Sequence, residues 1–344
     1  MKVIALLLPL HVTLNYLNTI RSSIPRGYEP YYSQSQRLIC LVWKHSYKTL
    51  NAIKEFAKRL PEAHIVTSDI RRLKSTYELE KCHVPCTIVG NVVIVSSKTL
   101  SNLGGDVVKA CLALTYRRLR TIYVKELTEG QYRVAKLQLL YGVDESTTTY
   151  REHGLTIICD VKRVYVNPRL STERLRVLRS CTNDDRVLDM FAGSGALTLL
   201  LSTKLTQGII VSNDLNQSSI HYILKSLAYN ARMLKAPVIL LNLDAKQLPG
   251  VLKPIFTVII MDCPHESLRY LLHAFRLCEP DYCTLHVYVV GCSQDKVANT
   301  VKHLINEFKE FMNHSCRVEE PIRVLDYAPR KYIYRATITC KRLQ

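Results

Sequence analysis

Four short runs of aliphatic and β-branched residues, each closing on an aspartate, do most to restrict how this chain folds. They are Arg186-Val187-Leu188-Asp189, Gly208-Ile209-Ile210-Val211-Ser212-Asn213-Asp214, Val238-Ile239-Leu240-Leu241-Asn242-Leu243-Asp244 and Thr257-Val258-Ile259-Ile260-Met261-Asp262. Helix-like segments lie between them. Strands that are apolar on both faces and alternate with helices read as a buried parallel sheet. Ligands bind at the carboxyl ends of such strands, so four acids in register point to one site.

The first run continues as Met190-Phe191-Ala192-Gly193-Ser194-Gly195, and the apolar stretch 196–205 reads as the helix that packs back on it. Gly193 and Gly195 suit a tight strand-to-helix turn with the backbone close to a ligand. A GxGxxG fingerprint needs glycine at 198, where Thr198 stands, so nicotinamide and flavin are disfavoured. An acid followed by GxG suits instead the cationic amino-acid part of S-adenosylmethionine. Asp189, Gly193 and Gly195 are therefore candidate cofactor residues. Asp214, 19 residues past Gly195, has the spacing at which a carboxylate reaches a ribose hydroxyl.

Charge narrows the partner. Among 344 residues, 47 Lys+Arg against 29 Asp+Glu give +18, which favours a polyanion. Residues 1–130 hold 19 basic and 9 acidic residues, hence +10 of that +18. The cluster Tyr116-Arg117-Arg118-Leu119-Arg120 makes Arg117 and Arg118 candidate phosphate contacts. Twelve cysteines are too sparse for a disulfide framework, and Cys111, Cys159 and Cys292 read as small core residues. Cys82-His83-Val84-Pro85-Cys86 has no second pair to complete a zinc site, so no metal is expected. The apolar start, Met1 to Leu10, reads as a strand rather than a signal peptide, and no run reaches the ~18 apolar residues of a membrane span. These features together suggest a cytoplasmic protein.

In chain order, residues 1–44 read as a small N-terminal α+β module: a strand, an amphipathic helix over 12–22 and returning strands through 38–43, with a boundary near 44–50. Residues 50–150 form a middle α+β region, with helical spacing over 51–60 and 105–120 and a strand over 87–95 between them. The α/β catalytic domain occupies 151–344. Its first strand is 155–161, and Asn167-Pro168 ends the next extended stretch. Ser171 or Thr172 is the expected N-cap of the helix that follows. Beyond the fourth run we expect a helix over 265–277, a strand over 285–290, a helix over 294–311, and strands near 316–325 and 331–340.

A family resemblance rests on several strings. Glu129-Gly130-Gln131-Tyr132-Arg133-Val134, Tyr150-Arg151-Glu152-His153-Gly154 and Val164-Tyr165-Val166-Asn167-Pro168-Arg169-Leu170-Ser171-Thr172-Glu173-Arg174 resemble the archaeal and eukaryotic tRNA (guanine-N1)-methyltransferases that act at tRNA position 37. The stretch 187–195, Asp214-Leu215-Asn216, Asp262-Cys263-Pro264 and Asp326-Tyr327-Ala328-Pro329-Arg330 follow in the same order. The resemblance implies a class I, Rossmann-like S-adenosylmethionine-dependent methyltransferase core, a small domain that checks the outer corner of folded tRNA, and an RNA-binding middle region. By motif, Glu173 resembles the family's general base and Arg133 the partner of guanine O6. Arg174, Phe191, Asp214, Leu215, Asp244, Ala245 and Asp262 resemble cofactor contacts, and Asp262 is a candidate catalytic residue as well. Tyr165 and Pro264 resemble the wall beside methyl and base, with Arg169 on the RNA side. Where the family usually has Asn-Leu-Pro, this chain has Asp262-Cys263-Pro264, and a carboxylate accepts but does not donate.

The chemistry asks for the same groups independently. Guanine N1 carries a proton at neutral pH and becomes nucleophilic when a carboxylate takes it. Negative charge then grows on O6, where a fixed guanidinium stabilises it. The rivals are a wyosine-pathway enzyme, acting on the tricyclic precursor or moving the cofactor's aminocarboxypropyl group, an amino-group methyltransferase, and a tRNA-binding protein with a dead cofactor domain. Nothing in the sequence demands a partner chain, so a monomer is expected.

Overall fold

A computed structural model describes the strands at 2–9, 28–33, 38–43, 64–69 and 74–75, and then 84–342 apart from 106–107, 110–111, 113–115, 117–118, 130–133 and 309–313. The expected helices over 12–22 and 51–60, and Arg117, Arg118 and Arg133, lie outside the described residues. The chain divides into two units: 1–87 with 91–126 and 137–144, and 88–90 with 127–136 and 145–344.

The first unit contains a five-stranded sheet of β1 (Lys2–Pro9), β2 (Tyr28–Ser33), β3 (Leu38–Trp43), β4 (His64–Asp69) and β5 (Lys74–Ser75), in the order β4-β1-β3-β2-β5. β1 is interior, since Leu6 pairs with Leu41 of β3 on one side and Ile65 of β4 on the other. Residues 64–69 supply the strand on the second edge of β1.

A second sheet runs β6 (Cys86–Val89), β7 (Val92–Ser96), β8 (Thr121–Glu129) and β9 (Val134–Gly142). The single strand expected over 87–95 is thus two, broken where Gly90 takes φ +60°. β7 and β8 are parallel, joined through α1 (Ser97–Leu103) and the helical stretch that follows it. Val108 N–H donates to Gly104 O and Tyr116 N–H to Leu112 O, in keeping with the helix expected over 105–120. Val93, Val95, Val108, Leu112, Ile122 and Val124 form the core there.

In the second unit, β10 (Thr147–Glu152) and β11 (Leu155–Asp160) form an antiparallel hairpin. His153 and Gly154 both take positive φ at its turn. The edge of β11 bonds to side chains rather than to another strand. Asn230 accepts from Thr156 N–H (3.0 Å) and donates to Thr156 O (2.7 Å), while Ser226 Oγ accepts from Ile158 N–H (2.9 Å).

The large sheet joins β12 (Arg186–Asp189), β13 (Ile209–Asn213), β14 (Val238–Leu241), β15 (Val258–Met261), β16 (Tyr282–Gly291), β17 (His314–Val318), β18 (Ile322–Ala328) and β19 (Lys331–Arg342). Its order is β14-β13-β12-β15-β16-β19-β17, with β18 also on β19. β12 to β16 are parallel and β19 is antiparallel. Alternate residues enter opposite cores. Val187, Ile210, Val258 and Ile260 pack with Val177 of α2 (Ser171–Ser180) and Leu197 and Leu201 of α3 (Ala196–Ser202). Leu188, Val211, Ile259 and Met261 pack with Phe275 of α5 (Leu271–Phe275) and Val301 of α6 (Gln294–Phe308). Two buried faces are the reason the runs read as unbroken apolar stretches. α4 (Gln217–Tyr229) supports the hairpin.

Local differences from the sequence reading are few. The helix expected over 265–277 is a 3₁₀ turn, Ser267–Tyr270, running into α5. Cys159 is buried but Cys292 is exposed, because it lies just past the end of β16. Cys316 and Cys340 face each other across β17 and β19 and form a disulfide. Among the described residues no helix is long and apolar enough to cross a membrane, and no cluster of three or more His, Cys, Asp or Glu could hold a metal ion.

Candidate active site

Strand order reverses between β12 and β15, and the loops after these two strands flank that switch point. After β12 the chain turns through Gly193 (φ +53°) and Gly195 (φ +73°) into α3. Gly193 N–H donates to Asp214 Oδ2 (2.7 Å), and Asp214 Oδ1 accepts from Asn216 N–H (2.8 Å). A Cβ on Gly195 would lie 2.5 Å from Ile223 Cγ1. That glycine therefore makes room for the neighbouring helix. Asn213 ties the loops together, donating to Met190 O (3.2 Å) and Leu243 O (3.1 Å).

The acids differ in setting. Asp189, only 2% exposed, accepts from Thr198 Oγ1 (2.9 Å). Burial pushes its carboxyl up to about 7 against that bond, and the charges of Asp262 and Asp214 add to the effect. Burial also raises Asp214. Asp262 is half-buried. Burial lifts it to about 6, with Arg174 opposing and Glu173 adding. Asp244 accepts from Lys246 N–H (3.0 Å), ahead of buried Ala245. Phe191 meets Tyr270 edge to face at 5.2 Å, and Leu215 O accepts from Asn242 Nδ2 (2.9 Å). Acids stacked at one sheet edge repel one another, and a cationic ligand relieves that repulsion.

α2 brings the remaining groups. Its expected cap is displaced: Asn167 caps a 3₁₀ turn at Pro168–Leu170, accepting from Arg169 N–H (3.2 Å). Ser171 is already the first helical residue and Thr172 the second, with Leu170 at the cap position. The Asn-Pro break is followed so closely by the helix that the turn takes over the capping role. Glu173 and Arg174 consequently sit in the first turn, both buried. Arg174 Nη1 bonds both carboxylate oxygens of Glu152 at 2.8 Å, and Nη2 bonds Asn167 O at 2.9 Å.

Glu173 is 3% exposed and well supplied with donors. Tyr288 Oη donates to Oε1 (3.0 Å), and Arg176 Nη1 donates to Oε2 (3.2 Å). Arg335 Nη1 stands 2.9 Å from Oε1 but off the N–H axis, an ion pair rather than an aligned hydrogen bond. Tyr165 is 43% exposed, and its hydroxyl accepts from Asn167 Nδ2 (3.4 Å). Pro264 O accepts from Val290 N–H (3.1 Å), while Arg169 stays exposed on its turn.

The fold thus brings Asp262 within electrostatic reach of Glu173, Arg174 and Asp189, with Asp214 beside Gly193. Tyr288, Arg335 and Glu152 escaped the sequence reading. The signal was there for Arg335, a charged residue inside the apolar run of β19.

Residues 148–319, half of the chain, match the TRM5/TYW2 methyltransferase domain. The chain belongs to this family. The TRM5/TYW2 relative Trm5b of Pyrococcus abyssi, a tRNA (guanine(37)-N(1))-methyltransferase, is 28% identical over 252 residues, 71% of this chain and 71% of that protein. The Danio rerio tRNA (guanine(37)-N(1))-methyltransferase is 25% identical over 334 residues, 90% of this chain and 64% of the relative. The crystal structure of Pyrococcus abyssi Trm5b has the same Rossmann-like methyltransferase fold, with a TM-score of 0.64 at 21% identity over 98% of this chain and 99% of that one.

Proposed function

We propose that this chain transfers a methyl group from S-adenosylmethionine to N1 of guanosine 37 in tRNA. The observation that carries the chemistry is Glu173, buried in the first turn of α2 beside Arg174 and within electrostatic reach of Asp262 at the switch point. The residues fit the cofactor on the chemistry of the donor set. Buried acids held near neutrality at this sheet edge recover their charge beside a cation, and the cofactor carries a sulfonium and an ammonium.

When bound, S-adenosylmethionine supplies a methyl that is already electrophilic on its sulfonium. Asp189, Asp214 and Asp244, with the turn at Gly193 and Gly195, orient it. Phe191, Leu215, Ala245, Arg174 and Asp262 would hold it as further cofactor contacts. Tyr165 and Pro264 wall the target base. Glu173 removes the N1 proton, and Arg133 neutralises charge growing on O6. The anticodon-loop base must leave its stack at a cost of about a few kcal/mol. Phosphate contacts from Arg117, Arg118, Arg169 and the basic N-terminal residues offset that cost, and the N-terminal unit checks the outer corner of the tRNA. The enzyme works as a cytoplasmic monomer.

Mass spectrometry of nucleosides from unmodified tRNA incubated with the protein and S-adenosylmethionine tests this reading. N1-methylguanosine at position 37 supports it. An aminocarboxypropyl product, an amino-methylated base or no product overturns it.

A further inference from the structure

Arg335 interrupts the apolar middle of β19 with a charge that is only 7% exposed. Register places it directly opposite Tyr288 on β16, and both side chains meet the same oxygen of Glu173. Tyr288 Oη donates to Oε1 at 3.0 Å, and Arg335 Nη1 stands 2.9 Å from it. Burying a guanidinium inside a sheet is costly, yet Nε and Nη1 of Arg335 make no aligned hydrogen bond although both are sealed from water. The side chain is therefore not kept there as a satisfied structural donor. What the position supplies is a charge beside Glu173.

The other groups that face Glu173 are screened, neutral or of the wrong sign. Arg176, on the same helix, meets Oε2 at 3.2 Å, but its side chain is 47% exposed and solvent weakens its charge. Burial and the Glu173 charge raise Tyr288, which stays a neutral donor. Asp262, just past β15, adds a negative charge. Arg174, the other buried guanidinium of this corner, is bound to both oxygens of Glu152. His286, two residues before Tyr288 on β16, is pushed by burial down to about 3, with Arg335 adding, and is neutral at pH 7. We propose that Arg335 is a positioning residue for the proton transfer, holding Glu173 as a fixed and charged base. This inference rests on the guanine-N1 reading above.

With Oε1 held between Tyr288 and Arg335, Oε2 is the oxygen left to react, because Arg176 can move aside into solvent. In the step, the proton passes from N1 to Oε2 while its bonding pair stays on the ring and forms the bond to the methyl carbon. The pair of the methyl–sulfur bond stays with sulfur, and Glu173 later gives the proton to water. Arg335 acts through Glu173 alone. Without it a buried acid loses its unscreened countercharge, and its charged form becomes harder to keep.

The test compares the full chain with Arg335→Lys, Arg335→Gln and Arg335→Met in single-turnover methylation of a tRNA transcript across pH 5–9, with cofactor and tRNA affinities measured alongside. Arg335→Gln and Arg335→Met should lose rate on the acid side, about tenfold for each pH unit by which that limb moves up, and approach the wild type by pH 9. Both affinities should stay within about threefold. Arg335→Lys, which keeps a cation, should leave the limb where the wild type has it. A second readout needs neither cofactor nor RNA: in protein isotope-labelled at the glutamate carboxyl carbon, the signal missing from Glu173→Gln should titrate at higher pH in Arg335→Gln than in the wild type. If Arg335→Met does not fold, Arg335→Gln, which keeps a donor, carries the comparison. An unmoved limb or signal in the uncharged variants, or a rate lowered by one factor at every pH, overturns this assignment and leaves the guanine-N1 reading standing. If the wild type makes no N1-methylguanosine, that reading fails and this assignment with it.

Discussion

The hydroxyl of Tyr288 reaches Oε1 of Glu173 at 3.0 Å, joining β16 to the first turn of α2 across 115 residues of chain. Burial and the neighbouring Glu173 charge hold the phenol well above its ordinary range, so it remains a neutral donor. Tyr288→Phe leaves that carboxylate with its two arginines and one donor fewer. A stability loss of about 1–3 kcal/mol is expected in urea unfolding, the cost of an unsatisfied buried acceptor. No loss would mean that Arg335 and Arg176 suffice.

Arg174 is tied to Glu152 by two contacts of 2.8 Å, in a place almost closed to water. Arg174→Met strands a buried carboxylate, and about 3–5 kcal/mol of stability should vanish. Adding Glu152→Gln should return much of that loss without restoring cofactor affinity. Calorimetric titration of both variants with S-adenosylmethionine separates the two roles, and full affinity in the double variant would remove Arg174 from the cofactor site.

Asp189 carries a pH signature. Its carboxyl titrates near 7 in the folded chain, against 3.8 for the ordinary side chain, because burial disfavours the charge. A raised folded value favours the folded state below pH ~4, and that advantage is lost as pH rises toward 7. Asp189→Asn should therefore be more stable than the wild type at pH 8 and scarcely different at pH 4, as read from urea midpoints. The same substitution should weaken cofactor binding, and unchanged affinity would exclude contact with the ligand's cation.

Gly195→Ala meets two obstacles, φ of +73° and a Cβ placed 2.5 Å from Ile223 Cγ1. Left-handed backbone costs about 1–2 kcal/mol and overpacking about 1–3 kcal/mol more. In a double-mutant cycle with Ile223→Ala, whose own cavity cost is measured separately, the coupling should return only the packing part. Complete rescue in denaturant titrations would show that the backbone is unstrained there.

Affinity for tRNA should fall steeply with salt, since +18 of net charge has phosphates to neutralise. A flat slope between 50 and 200 mM, values typical of such titrations, would remove the basic residues as a docking surface.

Much of the core was legible because its cause is local. Val187 and Leu188, or Ile259 and Ile260, are apolar in succession because each member of a pair faces a different buried layer. The aspartates at the strand ends were legible for the same reason: an acid does not continue a buried strand. The hairpin at Gly90 was hidden, since Thr87 to Val95 reads as one apolar run and only the glycine marks the bend. The extent of the N-terminal sheet was hidden too. The segment that pairs with the second edge of β1 lies some sixty residues away, and no local pattern names it.

The sequence by itself determined the parallel core, the turn between β12 and α3, the acids along one sheet edge and the polyanionic partner, because these follow from period, residue chemistry and charge. Only the tertiary structure decided that Glu173 lies between Tyr288 and Arg335 while Asp262 is half-buried. Whether a carboxylate is restrained or accessible depends on atoms brought from distant strands, and burial and donor count are properties of the folded neighbourhood that no spacing in the chain records.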